Sequence, residues 1–227
     1  MLLYGRLFAL LYDPFVALAE RKGMRDIRRT VLSDAKGRTL ELGAGTGLNL
    51  ALYPTAVTSL TLTDPETPMV RQLRRAARRD DRPVEIVQAP GEHLPFADGE
   101  FDTVVCTIVL CTVSNVVMTL QEISRVLAPD GQLLLIEHVR AREARLMRWQ
   151  DRLHRPWHAF GYGCHCNLDT ALALTQSGFE IAELREERWR GMPPIVQPLI
   201  TGRLPRTHAR CRVGLIARSS PRSDPDP

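Results

Sequence analysis

The sequence predicts an α/β domain with a seven-stranded, mostly parallel sheet and helices on both faces. Short runs rich in β-branched and apolar residues alternate with helical patterns, and a glycine-rich turn follows the first such run. The 227 residues suffice for one domain with a substantial core. Apolar residues at 44% and charged residues at 25% exclude a disordered or mostly membrane-embedded chain.

The elements are expected in a regular order along the chain. Residues 6–32 predict one or two helices, and residues 1–35 are interpreted as a helical cap ahead of a sheet domain at 36–218. Strands are expected at Arg38–Leu42, Ser59–Thr63, Val84–Gln88, Thr103–Thr107, Gln132–Glu137, Phe179–Arg185 and Arg212–Arg218. Helices are expected at Leu48–Tyr53, Pro68–Arg79, Val116–Leu127, Arg142–Leu153 and Asp169–Ser177. Other segments are predicted as a loop (Pro156–Asn167), a Pro-rich connection (Met192–Pro205) and a disordered tail (Ser219–Pro227).

The N-terminal segment is apolar, but Arg6 and the Asp13-Pro14 pair interrupt it. It is shorter than the about 20 apolar residues that a membrane span needs. It also lacks the basic start and the small-residue cleavage site of a signal peptide. We therefore expect a cytoplasmic protein, with peripheral membrane contact through this segment as the less favoured alternative. Five irregularly spaced cysteines favour a reducing compartment over a disulfide framework.

The net charge of +4 comes almost entirely from arginine. The densest basic cluster recurs at intervals of three and four residues on the predicted helix Pro68–Arg79. That spacing predicts a solvated helix face rather than a nucleic-acid surface, so no nucleic-acid partner is expected.

A glycine-rich turn follows the first predicted strand. The stretch LELGAGTG places glycines at positions 43, 45 and 47. Glycine lets a backbone turn tightly and approach a ligand closely. Leu48 stands where the dinucleotide fingerprint G-x-G-x-x-G needs a small residue, and no phosphate-loop motif is present.

An acidic residue ends the second predicted strand. Asp64 can accept hydrogen bonds from both ribose hydroxyls of an adenosyl group. The alternative is a helix N-cap, which Asp also favours; the glycine turn upstream favours the ribose role. The motif GEHLPFADGEFD then leads into the fourth strand, and we expect adenine contacts around Gly91 and Glu92.

Together these motifs resemble the Rossmann-like class I S-adenosylmethionine (SAM)-dependent methyltransferases, specifically the type 11 methyltransferase domain. The resemblance covers roughly residues 36–140 and includes ELGAGTG, Asp64, GEHLPFADGEFD and EISRVLAPDGQLLLIEH in order. It implies SAM as the cofactor and residues 36–218 as the methyltransferase domain. The residues that it implies at the cofactor are Glu41, Gly43, Ala44, Gly45 and Gly47 for the methionine moiety, Asp64 and Pro65 for the ribose, Gly91 and Glu92 for the adenine, and Cys106 and Thr107 beside the cofactor.

A narrower resemblance concerns the membrane-associated alkyl-thiol S-methyltransferases. CTIVLCTV, IEHV and GCHCNLDTALALTQSGF are similar to that family, as is the Tyr12–Phe15 segment. This sequence departs from that pattern at its start, where we expect no membrane anchor. The resemblance implies a thiol as the methyl acceptor.

Two residues are candidates for catalysis. His138 follows the fifth predicted strand and is a candidate base or substrate-orienting group; local hydrogen bonding is the alternative. Asp13, with Tyr12, is a candidate for closing over the cofactor, the alternative being a helix break before Pro14. A thiol acceptor needs little beyond orientation, because thiols have pKa values of about 8.5.

The segment Cys164-His165-Cys166 offers potential metal ligands side by side. Adjacent residues on an extended loop point apart, and the sequence offers no second spaced ligand pair. We therefore expect no metal site, and we interpret this loop, with Trp157, Phe160 and Tyr162, as part of an acceptor pocket.

Four functions remain open from the sequence. The leading hypothesis is a small-molecule methyltransferase with a thiol or another lipophilic acceptor. The alternatives are a quinone or phospholipid methyltransferase, an RNA methyltransferase, and a non-catalytic SAM-binding protein.

Overall fold

The computed structural model describes residues 2–80, 82–177, 179 and 183–206. The strands are β1 (Gly37–Leu42), β2 (Val57–Thr63), β3 (Val84–Val87), β4 (Phe101–Thr107), β5 (Leu127–His138), β6 (Arg185–Arg188) and β7 (Pro198–Pro205). The α-helices are α1 (Leu2–Ala19), α2 (Arg25–Leu32), α3 (Thr67–Ala77), α4 (Val116–Val126), α5 (Ala144–Phe160) and α6 (Thr170–Gln176). An irregular turn at Glu20–Met24 joins α1 to α2, with Gly23 at a φ of +118°.

The seven strands form one sheet in the order β3-β2-β1-β4-β5-β7-β6. Strands β1 to β5 pair in parallel, whereas β7 runs antiparallel to both β5 and β6. This architecture confirms the predicted mostly parallel seven-stranded sheet. Because β1 to β5 share one direction, their carboxyl ends meet at one edge, where ligands bind in open α/β sheets.

Both faces of the central strands are buried, as expected for parallel strands. Strand β5 illustrates this alternation. Leu133 and Leu135 pack into a cluster that includes α4 and α6 residues, while Leu134 points to the opposite cluster under α2 and α3. The apolar residues of β5 therefore pack into the core on both faces of the sheet, and their burial stabilises the central strands.

Four sequence expectations about elements are corrected by the structure. Helix α5 continues to Phe160 with Pro156 inside it, so the helix extends into the predicted Pro156–Asn167 loop. The predicted helix Leu48–Tyr53 is only a 3₁₀ turn at Leu50–Leu52. The other two corrections concern the edge strands β6 and β7.

Among the described residues the sixth strand is Arg185–Arg188; Phe179, Glu183 and Leu184 of the predicted strand Phe179–Arg185 are not in a strand, and residues 180–182 lie outside the described part of the chain. Strand β7 occupies the second half of the predicted connection Met192–Pro205. The prolines of β7 stand at its two ends, opposite Arg188 of β6 and Gln132 of β5. Proline is tolerated at strand ends, because little of the hydrogen-bonded ladder is lost there. The predicted strand Arg212–Arg218 and the tail Ser219–Pro227 lie outside the described residues.

The surface carries an apolar region on α1 and a basic region on α3. Helix α1 exposes Leu7, Leu10, Leu11 and Leu18, although none of the described helices is both long enough and apolar enough to cross a membrane. The basic cluster on and just after α3 is solvated as predicted; its members are Arg71, Arg74, Arg75, Arg78 and Arg79.

Candidate active site

The glycine loop after β1 adopts a backbone that only glycine favours. Gly43, Gly45 and Gly47 have φ values of +59°, +59° and +89°. A Cβ on Gly43 would lie 2.3 Å from Cγ2 of Val109, so β4's exit loop packs directly on this glycine. Among the described residues outside its chain neighbours, no atom would come closer than 4.0 Å to a Cβ on Gly45. The loop is therefore packed from below and open at Gly45.

Asp64 is tied to this glycine loop at the carboxyl end of β2. Its Oδ2 accepts the Gly45 N–H at 3.0 Å, and its Oδ1 accepts the Glu66 N–H at 2.8 Å. The helix that follows begins at Thr67 with Glu66 as its N-cap, so Asp64 does not cap it. Burial raises the pKa of Asp64 to about 6, against the opposing effect of the two backbone hydrogen bonds. Pro65 is exposed, and its carbonyl accepts from Gln88.

Glu41 lies in a buried hydrogen-bond network beneath the loop. Its Oε1 accepts from Asn49 Nδ2 at 2.8 Å, and its Oε2 accepts from the Tyr53 hydroxyl at 2.7 Å. Burial raises the pKa of Glu41 to about 7, although these hydrogen bonds oppose the shift. Asn49 also donates to Thr107 Oγ1 at 3.1 Å and accepts from Arg28 at 3.0 Å. Glu41 thus joins the first strand to β4 and to α2.

The N-terminal helix contacts the glycine loop through Asp13. Thr46 Oγ1 donates to Asp13 Oδ1 at 2.6 Å. Pro14 lies inside α1, so the alternative of a helix break at this position is wrong. Tyr12 packs against a third apolar cluster, and burial raises its pKa to about 12. The structure therefore brings Asp13 to the predicted cofactor loop.

An aromatic contact extends α1 toward the segment after α5. The Phe8 ring stacks on Tyr162 with centroids 4.9 Å apart, and the Tyr162 hydroxyl donates to Glu66 Oε2 at 2.7 Å. Tyr162 has a φ of +54°, which is unusual for a side-chain-bearing residue. The Tyr4 hydroxyl donates to the Phe160 carbonyl at 2.6 Å. These contacts link α1, the turn after Asp64 and the end of α5.

The segment before β4 carries the residues predicted for the adenine. Gly91 is buried, and a Cβ there would lie 3.0 Å from the methyl group of Thr119. Glu92 is half-buried, and its Oε1 accepts the Asn115 N–H at 3.0 Å. Glu92 also lines a surface groove of about 470 Å³ together with Leu94.

The end of β4 is held by a buried carboxylate from β5. Glu137 Oε1 accepts the N–H groups of Val109 at 2.7 Å and Leu110 at 2.8 Å. Ile108 has a φ of +54°, a strained conformation for a β-branched residue. Cys106 is fully buried in the core, so its side chain points away from the loop edge.

His138 is the last residue of β5 and is completely buried. Its Nε2 lies 2.9 Å from the Sγ of Cys164, and Trp157 Nε1 donates to the same sulfur at 3.1 Å. The Nδ1 of His138 has no hydrogen-bond partner among the described residues. Cys111 completes the cluster, because its Sγ lies within 4.8 Å of both His138 and Cys164.

The two cysteines of this cluster have opposite electrostatic environments. The hydrogen bond from Cys111 and the neighbouring His138 lower the pKa of Cys164, although burial opposes the shift. The same hydrogen bond and burial raise the pKa of Cys111. Burial lowers the pKa of His138, but its pairing with Cys164 outweighs that effect and raises it overall. Negative charge in the cluster is therefore concentrated on Cys164.

The sequence reasoning missed several residues of this edge. Arg28 and Asn49 lack a motif that marks them, although Asn49 follows Gly47 by only two positions. Cys111 lies in the motif CTIVLCTV, but its sulfur meets Cys164 only because the exit loop of β4 and the segment after α5 converge. His165, by contrast, pairs with another histidine, its Nδ1 lying 2.8 Å from His154 Nε2.

Known proteins are similar to this chain in sequence and in fold. Residues 40–135 match the family described as "Methyltransferase domain". The human thiol S-methyltransferase TMT1A is 32% identical over 199 residues, which cover 86% of this chain and 81% of the human protein. The human thiol S-methyltransferase TMT1B is 35% identical over 191 residues, covering 79% and 76% of the two chains. The solved structure of a SAM-dependent methyltransferase from Thermotoga maritima shares the fold, with a TM-score of 0.64, 19% identity and coverage of 89% and 97%.

Proposed function

Because this chain belongs to the family of SAM-dependent methyltransferases that includes the human thiol S-methyltransferases, we propose that its acceptor is the thiol of a small lipophilic molecule. The chain is a SAM-dependent methyltransferase for small molecules. The observation that carries the thiol assignment is the identity of 32% to a thiol S-methyltransferase over 86% of this chain. That match extends well beyond the methyltransferase domain at residues 40–135.

The residues of the glycine edge fit SAM. Gly45 leaves open space above the loop, so a ligand can approach its backbone without a Cβ in the way. Asp64 presents a buried carboxylate at the carboxyl end of β2, and each of its oxygens accepts one backbone hydrogen bond. A carboxylate oxygen can accept more than one hydrogen bond, which leaves capacity for the ribose hydroxyls. Gly43 and Gly47 hold the loop in shape below this surface.

Bound SAM would supply an electrophilic methyl group: the acceptor sulfur would gain an S–CH₃ bond as the methyl–sulfonium bond of SAM breaks, which leaves S-adenosylhomocysteine and releases the proton of the acceptor thiol. The protein's contribution is mainly orientation, which can lower a barrier by about 7–11 kcal/mol. The thiol needs no strong base, since its pKa of about 8.5 leaves a fraction ionised at neutral pH. Asp64 and the glycine loop would fix the cofactor end, and the segment after α5 would orient the acceptor.

We further propose that residues 2–35 cover the cofactor edge. The hydrogen bond from Thr46 to Asp13 and the stacking of Phe8 on Tyr162 support this role. In this account Asp13 is a positioning residue of the cover. His138 stays a candidate for contact with the acceptor, because it ends β5 beside the loop that follows β4.

Apolar and aromatic side chains support a lipophilic acceptor. Tyr162, Phe8 and Trp157 gather where α1 meets the end of α5. Trp157 also reaches the sulfur of Cys164. Such a surface binds an uncharged alkyl or aryl thiol better than it binds a charged thiol.

The test is methyl transfer from labelled SAM to a panel of an alkyl thiol, a quinol, a phenol and a phospholipid amine, scored by product mass. We expect a methyl thioether and little product from the other acceptors. Asp64→Ala should lose activity, while Asp26→Ala, which alters an exposed ion pair on α2, should retain it. Transfer to a quinol or a phospholipid instead, or no transfer by a protein that still binds SAM, would overturn the thiol assignment.

A further inference from the structure

Three buried side chains that are distant in the sequence meet near the carboxyl edge of the sheet. Cys111 lies in the loop after β4, His138 ends β5, and Cys164 follows α5. Their ligand atoms all lie within 4.8 Å of one another, and all three residues are buried. The cluster forms through the fold, because the His165 N–H donates to the Cys111 carbonyl at 2.8 Å and joins the two loops.

The donor set is typical of a zinc site. Two thiolates and one imidazole occur together in catalytic zinc centres, which keep a fourth position for water or a ligand. Zn–S bonds of about 2.3 Å and Zn–N bonds of about 2.0–2.1 Å place tetrahedral ligand atoms roughly 3.5–3.8 Å apart. The observed distance from His138 Nε2 to Cys164 Sγ is 2.9 Å, and the other ligand-atom distances are at most 4.8 Å. The three ligand atoms are therefore near enough to one another for a single ion to contact all of them once the side chains adjust.

Charge balance also favours a divalent cation. Two thiolates neutralise Zn²⁺, whereas two thiolates alone would be costly at a position where all three ligand residues are buried. Neutral imidazole and deprotonated cysteine are the forms that bind zinc, so binding releases the thiol protons to solvent. Trp157 Nε1 already donates to the Cys164 sulfur and would serve as an outer hydrogen-bond donor to a ligating thiolate.

We propose that Cys111, His138 and Cys164 bind one Zn²⁺ ion through two Sγ atoms and Nε2, with the fourth position open to water or another ligand. The site differs from the adjacent Cys164-His165-Cys166 set considered from the sequence. Cys166 Sγ lies 3.6 Å from the Gln150 carbonyl instead, and His165 pairs with His154. The proposal concerns metal binding and does not depend on which acceptor the enzyme methylates.

The site lies close to the cofactor loop. Cys111 is two residues after Val109, whose side chain packs on Gly43. Glu137, which precedes His138, fixes the Val109 and Leu110 N–H groups through one carboxylate oxygen. A metal ion would therefore brace the exit loop of β4 against the segment after α5.

The first experiment measures zinc in the full chain by elemental mass spectrometry after incubation with a slight excess of ZnCl₂ and desalting. We expect about one tightly held zinc ion per chain. Cys111→Ser and Cys164→Ser should each lose most of it. Cys166→Ser and His165→Ala should keep it, and these two variants control for nearby cysteine and histidine ligands. SAM affinity, measured on every variant, reports whether the fold is retained.

A second measurement needs no variant. Co²⁺ loaded in place of zinc should give the intense near-ultraviolet absorption of thiolate-to-cobalt charge transfer together with visible bands of tetrahedral cobalt. Absence of retained zinc in the unmodified chain would overturn the proposal. So would a cobalt spectrum without thiolate bands, unchanged zinc in a folded Cys111→Ser protein, or loss of zinc in His165→Ala, which would place the metal at the His154–His165 pair.

Discussion

At the scale of single residues, Asp64 connects the cofactor loop to the helix that follows β2. One carboxylate oxygen lies 3.0 Å from the Gly45 nitrogen and the other 2.8 Å from the Glu66 nitrogen. The side chain is 6% exposed, so it is surrounded by protein while it still faces the loop. A substitution there affects both the shape of the loop and the ribose contact that we propose.

Asp64→Ala should weaken SAM binding by at least about 1–3 kcal/mol, because it removes the proposed ribose acceptor and the carboxylate that accepts the Gly45 N–H of the loop. Isothermal titration calorimetry measures this change directly. Asp26→Ala provides the control, since its carboxylate is exposed on α2. An unchanged affinity in a folded Asp64→Ala protein would refute the ribose assignment.

The affinity for SAM should also fall as the pH is lowered through about 6. Burial raises the pKa of Asp64 to about 6, so below that pH its carboxyl becomes protonated and accepts hydrogen bonds less well. The control protein is Asp64→Asn. Burial also raises the pKa of Glu41, to about 7, and Glu41 is present in both the unmodified chain and Asp64→Asn, so its titration contributes to both pH profiles. The difference between the two pH profiles therefore isolates Asp64, and parallel profiles would contradict its role.

Two glycines of the loop should respond differently to alanine. Both have φ near +59°, so both substitutions introduce backbone strain. Only a Cβ on Gly43 meets a neighbour, Val109 Cγ2, at 2.3 Å. Gly43→Ala should therefore lower the free energy of unfolding by about 1–3 kcal/mol more than Gly45→Ala, whereas Gly45→Ala should mainly weaken SAM binding. Urea denaturation gives the comparison, and equal destabilisation would show that the packing argument fails.

At the scale of elements, α1 and the glycine loop should be energetically coupled. Thr46 donates to Asp13 at 2.6 Å, and this is a direct hydrogen bond between them. In a double-mutant cycle of Asp13→Ala and Thr46→Val, the two changes should be non-additive for SAM affinity by about 0.5–1.5 kcal/mol. Additive effects would mean that α1 does not cover the bound cofactor through this contact.

The sequence was most informative where periodicity and turns were unambiguous. Strands β1 to β5 and helices α3 and α4 lie within a few residues of the predicted ranges, because their apolar runs are bounded by Gly, Pro and Asp. Pro156 was misleading, since α5 tolerates it inside the helix. Strand β7 was not predicted because its segment contains prolines. The pairing with β5 and β6 shows that these prolines stand at the two ends of the strand.

The candidate site shows the same division. Gly43, Gly45 and Asp64 were predictable because their chemistry depends on local sequence, a strand followed by a turn. The cluster of Cys111 with His138 and Cys164 was not predictable, because it depends on two loops meeting across the sheet edge. Spacing along the chain carries no information about such a contact. Local sequence therefore predicts the shape of the loop after β1, whereas contacts between distant loops become visible only in the structure.

At the scale of the whole molecule, the residues of the candidate site lie along one edge of the sheet. The parallel strands β1, β2 and β4 end at the side that we propose for the cofactor, and β5 brings His138 beside the loop after β4. Helix α1 and the end of α5 meet above the same edge through Phe8 and Tyr162. This arrangement places an apolar, sulfur-containing surface next to the proposed SAM site.

The most direct test of the thiol assignment compares an alkyl thiol with the alcohol of the same carbon skeleton as acceptors, with SAM and the full chain. The two differ only in the atom that would attack the methyl group. We predict a methyl thioether from the thiol and no detectable methyl ether from the alcohol, with the thiol rate rising toward the pKa of its S–H group. Methylation of the alcohol at a comparable rate would contradict the account, as would no transfer to either acceptor by protein that binds SAM.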